Sequence, residues 1–141
     1  MIKLNQCFYL ISAFLFLPLP TTALAANFYC PASVNLNCVS TTSGIKCDLE
    51  NLPSGWIAQC YPSTAFTPGM HIISLHAVHA DSAPPAIPAT CLYGEQNSIS
   101  IYQYGLLADV SSPGAKWQVE FEQTYCHPDP GVTKECPLIS A

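Results

Sequence analysis

The sequence predicts an all-β domain, a small antiparallel β-sandwich or partly open barrel, stapled by disulfides. Short runs of alternating apolar and polar residues recur, punctuated about every ten positions by Gly, Pro, Asn and Ser turn signals. No stretch after the N-terminal leader shows the spacing of an amphipathic helix. Seven of the eight cysteines follow that leader, a density that small exported domains use to offset a limited core.

Residues 1–26 read as a cleaved secretory signal peptide. Lys3 supplies the positive start, an apolar run from Phe8 to Leu19 follows, and Ala23-Leu24-Ala25-Ala26 offers small residues for signal peptidase. The run is shorter than the roughly 20 residues that span a bilayer, so cleavage is expected over a retained anchor. Cys7 lies near the start of the apolar run, with Lys3-Leu4-Asn5-Gln6 before it, which is not the setting of a lipid-modified cysteine. Residues 27–141 then form one domain.

Ser33 to Ser40 alternates, with Val34, Leu36 and Cys38 on one face. Thr41-Thr42-Ser43-Gly44 is a turn, and Ile45, Cys47 and Leu49 share a face on the return strand. A turn centred on Thr42 and Ser43 sets Cys38 opposite Cys47 and Leu36 opposite Leu49, so that Cys38–Cys47 is an expected bridge. Asn51 to Gly55 is a second turn, Trp56 to Tyr61 a short strand, and Pro62 to Gly69 a loop. Met70 to Ala80 reads as a buried strand because of its isoleucines and valine, although a short helix shares the pattern.

The three prolines Pro84, Pro85 and Pro88 make Asp81 to Pro88 an irregular extended connection. Thr90–Tyr93 and Ser98–Tyr104 read as strands around a Gly94–Asn97 turn, with one more strand over Leu106–Val110. Lys116 to Tyr125 reads as a single strand, with Trp117, Val119, Phe121 and Tyr125 inward and Lys116, Gln118, Glu120, Glu122 and Thr124 in water. The tail from Cys126 to Cys136 is expected to close as a disulfide loop. Cys30, Cys60 and Cys91 then supply a third bridge and one leftover thiol, either buried or intermolecular, with the connectivity open.

Charge excludes some functions. After the leader the basic residues are Lys46, Lys116 and Lys134, against nine acidic residues, and there is no arginine. Nucleic acids and anionic membrane surfaces both call for clustered positive charge, so neither is an expected partner. Stable membrane insertion after signal cleavage is not expected either.

The chemistry-bearing candidates are few. His76, His79 and Asp81 form an H-x-x-H-x-D string able in principle to ligate zinc or copper. On a regular strand, residues three apart face opposite ways, so His76 and His79 converge only in a helix or at a bulge. The plainer reading is ordinary sheet histidines; His71 and His127 add to the string only through contacts the sequence does not show. No C-x-x-C pair, G-x-S-x-G, H-E-x-x-H or phosphate-binding glycine loop occurs. The surroundings of Cys60 and Cys91 match no nucleophile motif. Glu120 and Glu122 share a face expected to be solvated. Tyr102 and Tyr104 share one face of their strand, and tyrosine covers apolar area while keeping a polar tip, which suits protein or sugar binding. Cross-strand packing is the plainer alternative.

Cys30-Pro31, Gly55-Trp56, Cys91-x-Tyr93, the Trp117 strand, and Cys126 with Cys136-Pro137-Leu138 together resemble a family of small secreted bacterial cysteine-containing proteins of unknown function. The resemblance implies a β-rich exported domain and supplies no catalytic residues; Cys38 and Cys47 depart from it. The expectation from all of this is a secreted or periplasmic, non-enzymatic binding protein without a cofactor, its partner an extracytoplasmic protein or glycan. The alternatives are a small secreted hydrolase with an unrecognised site and a His-based metal-binding envelope protein.

Overall fold

A computed structural model describes residues 27–60, 66–95, 99–120 and 123–141, at Cys60 and Glu120 for the backbone only. The leader, Tyr61 and Phe121 lie outside these residues. The described residues form ten strands: β1 (Ser33–Thr41), β2 (Gly44–Glu50), β3 (Ile57–Cys60), β4 (Gly69–His79), β5 (Ala89–Tyr93), β6 (Ile99–Gln103), β7 (Leu106–Ala108), β8 (Gln118–Glu120), β9 (Gln123–Cys126) and β10 (Leu138–Ser140). A 3-10 turn spans Thr133–Glu135. No α-helix is present among the described residues, and none of their helices is long and apolar enough to cross a membrane.

The strands are antiparallel throughout, in the order β2-β1-β4-β5-β6-β3, and the sheet curls into a nearly closed barrel. The longest strand, β4, is its spine. One edge of β4 pairs with β1 through Gly69–Ser74 and then with β9 through Val78 and His79; the other edge pairs with β5. The change of partner coincides with a bulge. Leu75 pairs with Tyr93 and Ala77 with Leu92, so His76 is the extra residue. Past the bulge, Ala77 and Val78 are both buried, a break in the strict alternation expected over Met70–Ala80.

The β1–β2 hairpin has the expected register, with Leu36 opposite Leu49 and Cys38 opposite Cys47. The Thr41 hydroxyl donates to the Gly44 carbonyl at 2.6 Å and closes the turn. Cys38 and Cys47 are bonded, with their Cα atoms 4.0 Å apart. Cys126 and Cys136 are bonded as expected, Cα–Cα 5.8 Å. The third bridge joins Cys30 to Cys91, 61 positions apart. These bridges use six of the seven cysteines that follow the leader, and the backbone of Cys60 pairs with Ile99 at the end of β3.

The core gathers Val34 and Leu36 from β1, Val78 from β4, Cys91 and Tyr93 from β5, Ile99 and Ile101 from β6, and Leu138 from β10. Fully burying each large apolar side chain contributes about 1.5–3 kcal/mol, so truncating Ile101 to Ala is expected to cost about 2–5 kcal/mol once the cavity is included. A separate two-stranded pair, β7 with β10, closes the C-terminus. Phe28 bridges to Leu138 through two backbone bonds of 2.8 and 2.9 Å, tying the start of the domain to its end. The strand expected over Leu106–Val110 ends at Ala108, and β10 was not marked by any alternation.

The strand expected over Lys116–Tyr125 is corrected by the structure. Gln118 pairs with Tyr125, Val119 with Thr124 and Glu120 with Gln123, so the stretch is a hairpin of β8 and β9. Val119, opposite Thr124 and so on the same face, is 61% exposed, but Thr124 itself is turned inward rather than into water, at 5% exposure. The cause is the phase set by Cys126. Thr124 and Cys126 lie two residues apart on β9 and share a face, and the bridge to Cys136 holds that face inward. Backbone pairing fixes the same phase, because Ala80 N–H donates to the Thr124 carbonyl at 3.1 Å. Trp117 does point inward; its indole N–H donates to the Pro137 carbonyl at 2.8 Å.

Candidate functional site: an uncharged groove between two tyrosines and three strands

Strands β5, β6 and β3 lie side by side, and alternation sorts their residues into two sets. Ala89, Cys91, Tyr93, Ile99 and Ile101 go inward and are buried. Their neighbours face out. Across β5 and β6, Thr90 stands opposite Tyr102 and Leu92 opposite Ser100. Across β6 and β3, Tyr102 stands opposite Ile57 and Ser100 opposite Gln59. The register therefore places the Leu92, Ser100 and Gln59 row beside the Thr90, Tyr102 and Ile57 row.

All of these but Ile57 line a groove of about 450 Å³, completed by Pro88 and Tyr104. That size is within the range of small-ligand sites, about 300–1,000 Å³. The rings of Tyr102 and Tyr104 meet edge to face with centroids 5.9 Å apart, and Tyr104 is 66% exposed. Below them Ser100 is nearly buried by its cross-strand neighbours, and its hydroxyl lies 3.5 Å from the Gln59 carbonyl. The Thr90 hydroxyl donates to the Pro88 carbonyl at 3.0 Å, which steadies that rim. The described lining carries hydroxyls, one amide and aromatic and aliphatic surface, and no charge.

The tyrosine pair expected from the sequence is thus brought together over a cavity. Gln59, Thr90 and Ser100 were missed, since only strand register reveals that they share the face. The second candidate, His76, His79 and Asp81, is not assembled as a triad. Among the described residues no group of three or more His, Cys, Asp or Glu side chains could hold a metal ion. Asp81 is engaged otherwise: its Oδ2 accepts the Ile87 N–H at 2.9 Å and holds the proline-rich connection. His79 and Asp81 do border one small pocket of about 110 Å³ with Thr124 and Gln123.

The bulge gives the histidines a different arrangement. His76 lies beside His127, ring centroids 5.5 Å apart; His127 lies beside Tyr125 at 5.4 Å; and Tyr125 lies beside His79 at 6.3 Å. His76, His127, Tyr125 and His79 thus form a continuous row of rings across β4 and the end of β9. His71 stands apart, with Nε2 2.7 Å from the Thr67 carbonyl and its ring 5.5 Å from Phe66.

Known proteins offer no guide to either feature: no family model, no curated protein and no solved structure matches the chain.

Proposed function

We propose that this chain is an exported, non-enzymatic binding protein, and that its groove takes a segment of neutral glycan. The observation that carries this reading is the uncharged groove with two tyrosine rings at its rim and three short hydrogen-bonding side chains, Gln59, Thr90 and Ser100, within it. Sugars present an apolar ring face and a girdle of hydroxyls. Tyrosine rings suit the first, and an amide with hydroxyls suits the second. Export is supported by the signal-like leader and by three disulfides, which form and persist in oxidising compartments.

The test is a glycan array probed with the oxidised domain, followed by ligand-observed NMR on hits. Binding to neutral oligosaccharides, lost in Tyr102→Ala, is the expected result. A protein captured from extracellular material through the same two tyrosines would replace glycan by protein as the partner class. No binding of either kind would overturn the reading.

A hydrolase is favoured by one observation, the pocket that His79 shares with Asp81. At about 110 Å³ it is well below the usual size of a ligand site, about 300 Å³ and upward, and the Asp81 carboxylate already accepts a backbone N–H. The groove therefore supports binding better than the pocket supports turnover.

A further inference from the structure

The row of rings on β4 and β9 contains a pair at about the spacing that two imidazoles on one metal ion would have. Metal-bound imidazole nitrogens sit about 2.0–2.1 Å from zinc, and the ring centre lies roughly 1.1 Å behind the nitrogen, so two imidazoles on one tetrahedral ion have centres roughly 5 Å apart. His76 and His127 are separated by 5.5 Å, centre to centre, with planes at 71°. Two independent features of the backbone produce this approach. The bulge at residue 76 breaks the pleat where β4 passes from β1 to β9, and His127 follows directly on β9, which is locked by the Cys126–Cys136 bridge.

The second point is the tautomer. His127 Nδ1 lies 3.4 Å from the His76 carbonyl. With the proton on Nδ1 directed at that carbonyl, Nε2 keeps its lone pair for a ligand, the usual way a backbone oxygen orients a metal-binding histidine. Both side chains are exposed, so an ion can enter without rearrangement of the core.

We propose that His76 and His127 form a two-imidazole site for a divalent transition cation, Zn²⁺ or Cu²⁺, with water in the remaining positions. Neutral imidazole suits both ions, and Cu²⁺ binds such donors more tightly than Zn²⁺ does. The site lies on a different part of the barrel from the tyrosine groove and does not depend on it.

The experiment uses the oxidised, tag-free domain, calorimetric titration with Zn²⁺, and electron paramagnetic resonance with Cu²⁺. One ion should bind per chain, and the copper spectrum should show two coupled nitrogens. Loss of a group that merely orients a ligand costs about 10–100-fold in metal affinity, so His76→Ala and His127→Ala should each weaken binding at least about tenfold. His79→Ala and His71→Ala should leave it within about twofold. All four variants remove partly or fully exposed rings, and circular dichroism confirms that they fold. Binding weaker than about 1 mM overturns the proposal. So does an equal loss in His71→Ala or His79→Ala, or a copper spectrum without two nitrogens.

Discussion

Tyr93 donates its hydroxyl to the carbonyl of Pro31 at 2.8 Å, two residues along β5 from the Cys91 that is bonded to Cys30. A covalent and a polar tether thus fasten the same N-terminal dipeptide to the middle of the barrel. The tyrosine is fully buried, and burial pushes its phenol well above the ordinary value. Tyr93→Phe removes the donor and leaves the Pro31 carbonyl unpaired, so it is expected to lower stability to urea by about 1–2 kcal/mol. The phenol also sets a pH dependence. Its folded pKa is raised, so the native state holds the proton that the unfolded chain gives up above about pH 10, and stability falls as pH rises beyond that point. Urea midpoints measured between neutral and strongly alkaline pH should show this fall, and Tyr93→Phe should flatten it.

The three disulfides should not contribute equally. Chain-entropy arithmetic gives about 4 kcal/mol for closing a loop of 61 positions and about 2.6 kcal/mol for loops of 9 and 10. Paired Cys→Ala variants of Cys30 and Cys91 should therefore lower the unfolding free energy more than those of Cys38 and Cys47 or of Cys126 and Cys136. Against a domain stability of about 5–15 kcal/mol, losing the long bridge is the change most able to unfold the domain at body temperature. Urea or thermal unfolding of the three double variants checks the ranking, and an equal or reversed order would refute it.

Lys116 sits between two carboxylates, with Nζ 2.9 Å from Asp129 Oδ2 and 2.9 Å from Glu135 Oε1. Its hydrogen bonds to Asp129 and Glu135 raise its own pKa, and its hydrogen bond and charge hold the Asp129 carboxyl below the ordinary range. A depressed acid contributes stability above its unfolded pKa and loses it as pH falls through the folded value. The contribution should be small and salt-sensitive, because Lys116 and Asp129 are solvent-exposed. Carboxyl NMR titration should find Asp129 below the usual aspartate value, and Lys116→Met should move it back upward.

How far residues alone could foretell this fold depends on whether the determining contact was local. The β1–β2 hairpin was legible because a two-residue turn sets the register, and register alone pairs Cys38 with Cys47. Cys30 and Cys91 have no such reference; their meeting requires the whole order β1-β4-β5, which alternation does not encode. The same holds for the site. Tyr102 and Tyr104 share a face by their spacing, whereas Gln59 and Thr90 reach that face through cross-strand neighbours. The His76 bulge carries no Gly or Pro to announce it, so the approach of His127 was hidden too.

Gly55 precedes the half-buried Trp56 and has φ of 85°. A Cβ added there would come nearest to the Gln103 side chain, at 3.8 Å, an ordinary contact. The cost of Gly55→Ala is therefore one of backbone conformation, about 1–2 kcal/mol for an L-residue held in the left-handed region. Gly55→Asn should cost less, because asparagine tolerates that region. Thermal unfolding of the two variants decides between backbone and steric causes; equal losses would point to sterics.

The β8–β9 hairpin offers a sharper test, because hydropathy and structure disagree about which of two residues is inside. Alternation over Lys116–Tyr125 puts Val119 in the core and Thr124 in water. The phase imposed by the Cys126–Cys136 bridge puts Thr124 inside, at 5% exposure, while Val119, opposite it on the same face, is left uncovered at 61%. Lysine distinguishes the two arrangements, since a charge tolerated at the surface is costly when buried and unpaired. Val119→Lys is expected to change stability by no more than about 0.5 kcal/mol. Thr124→Lys is expected to cost about 3–5 kcal/mol, reduced to the extent that the long stem lets the ammonium reach water. Urea unfolding of both variants provides the comparison. A larger loss at Val119 would mean that Val119 is the covered member of the pair and Thr124 the exposed one.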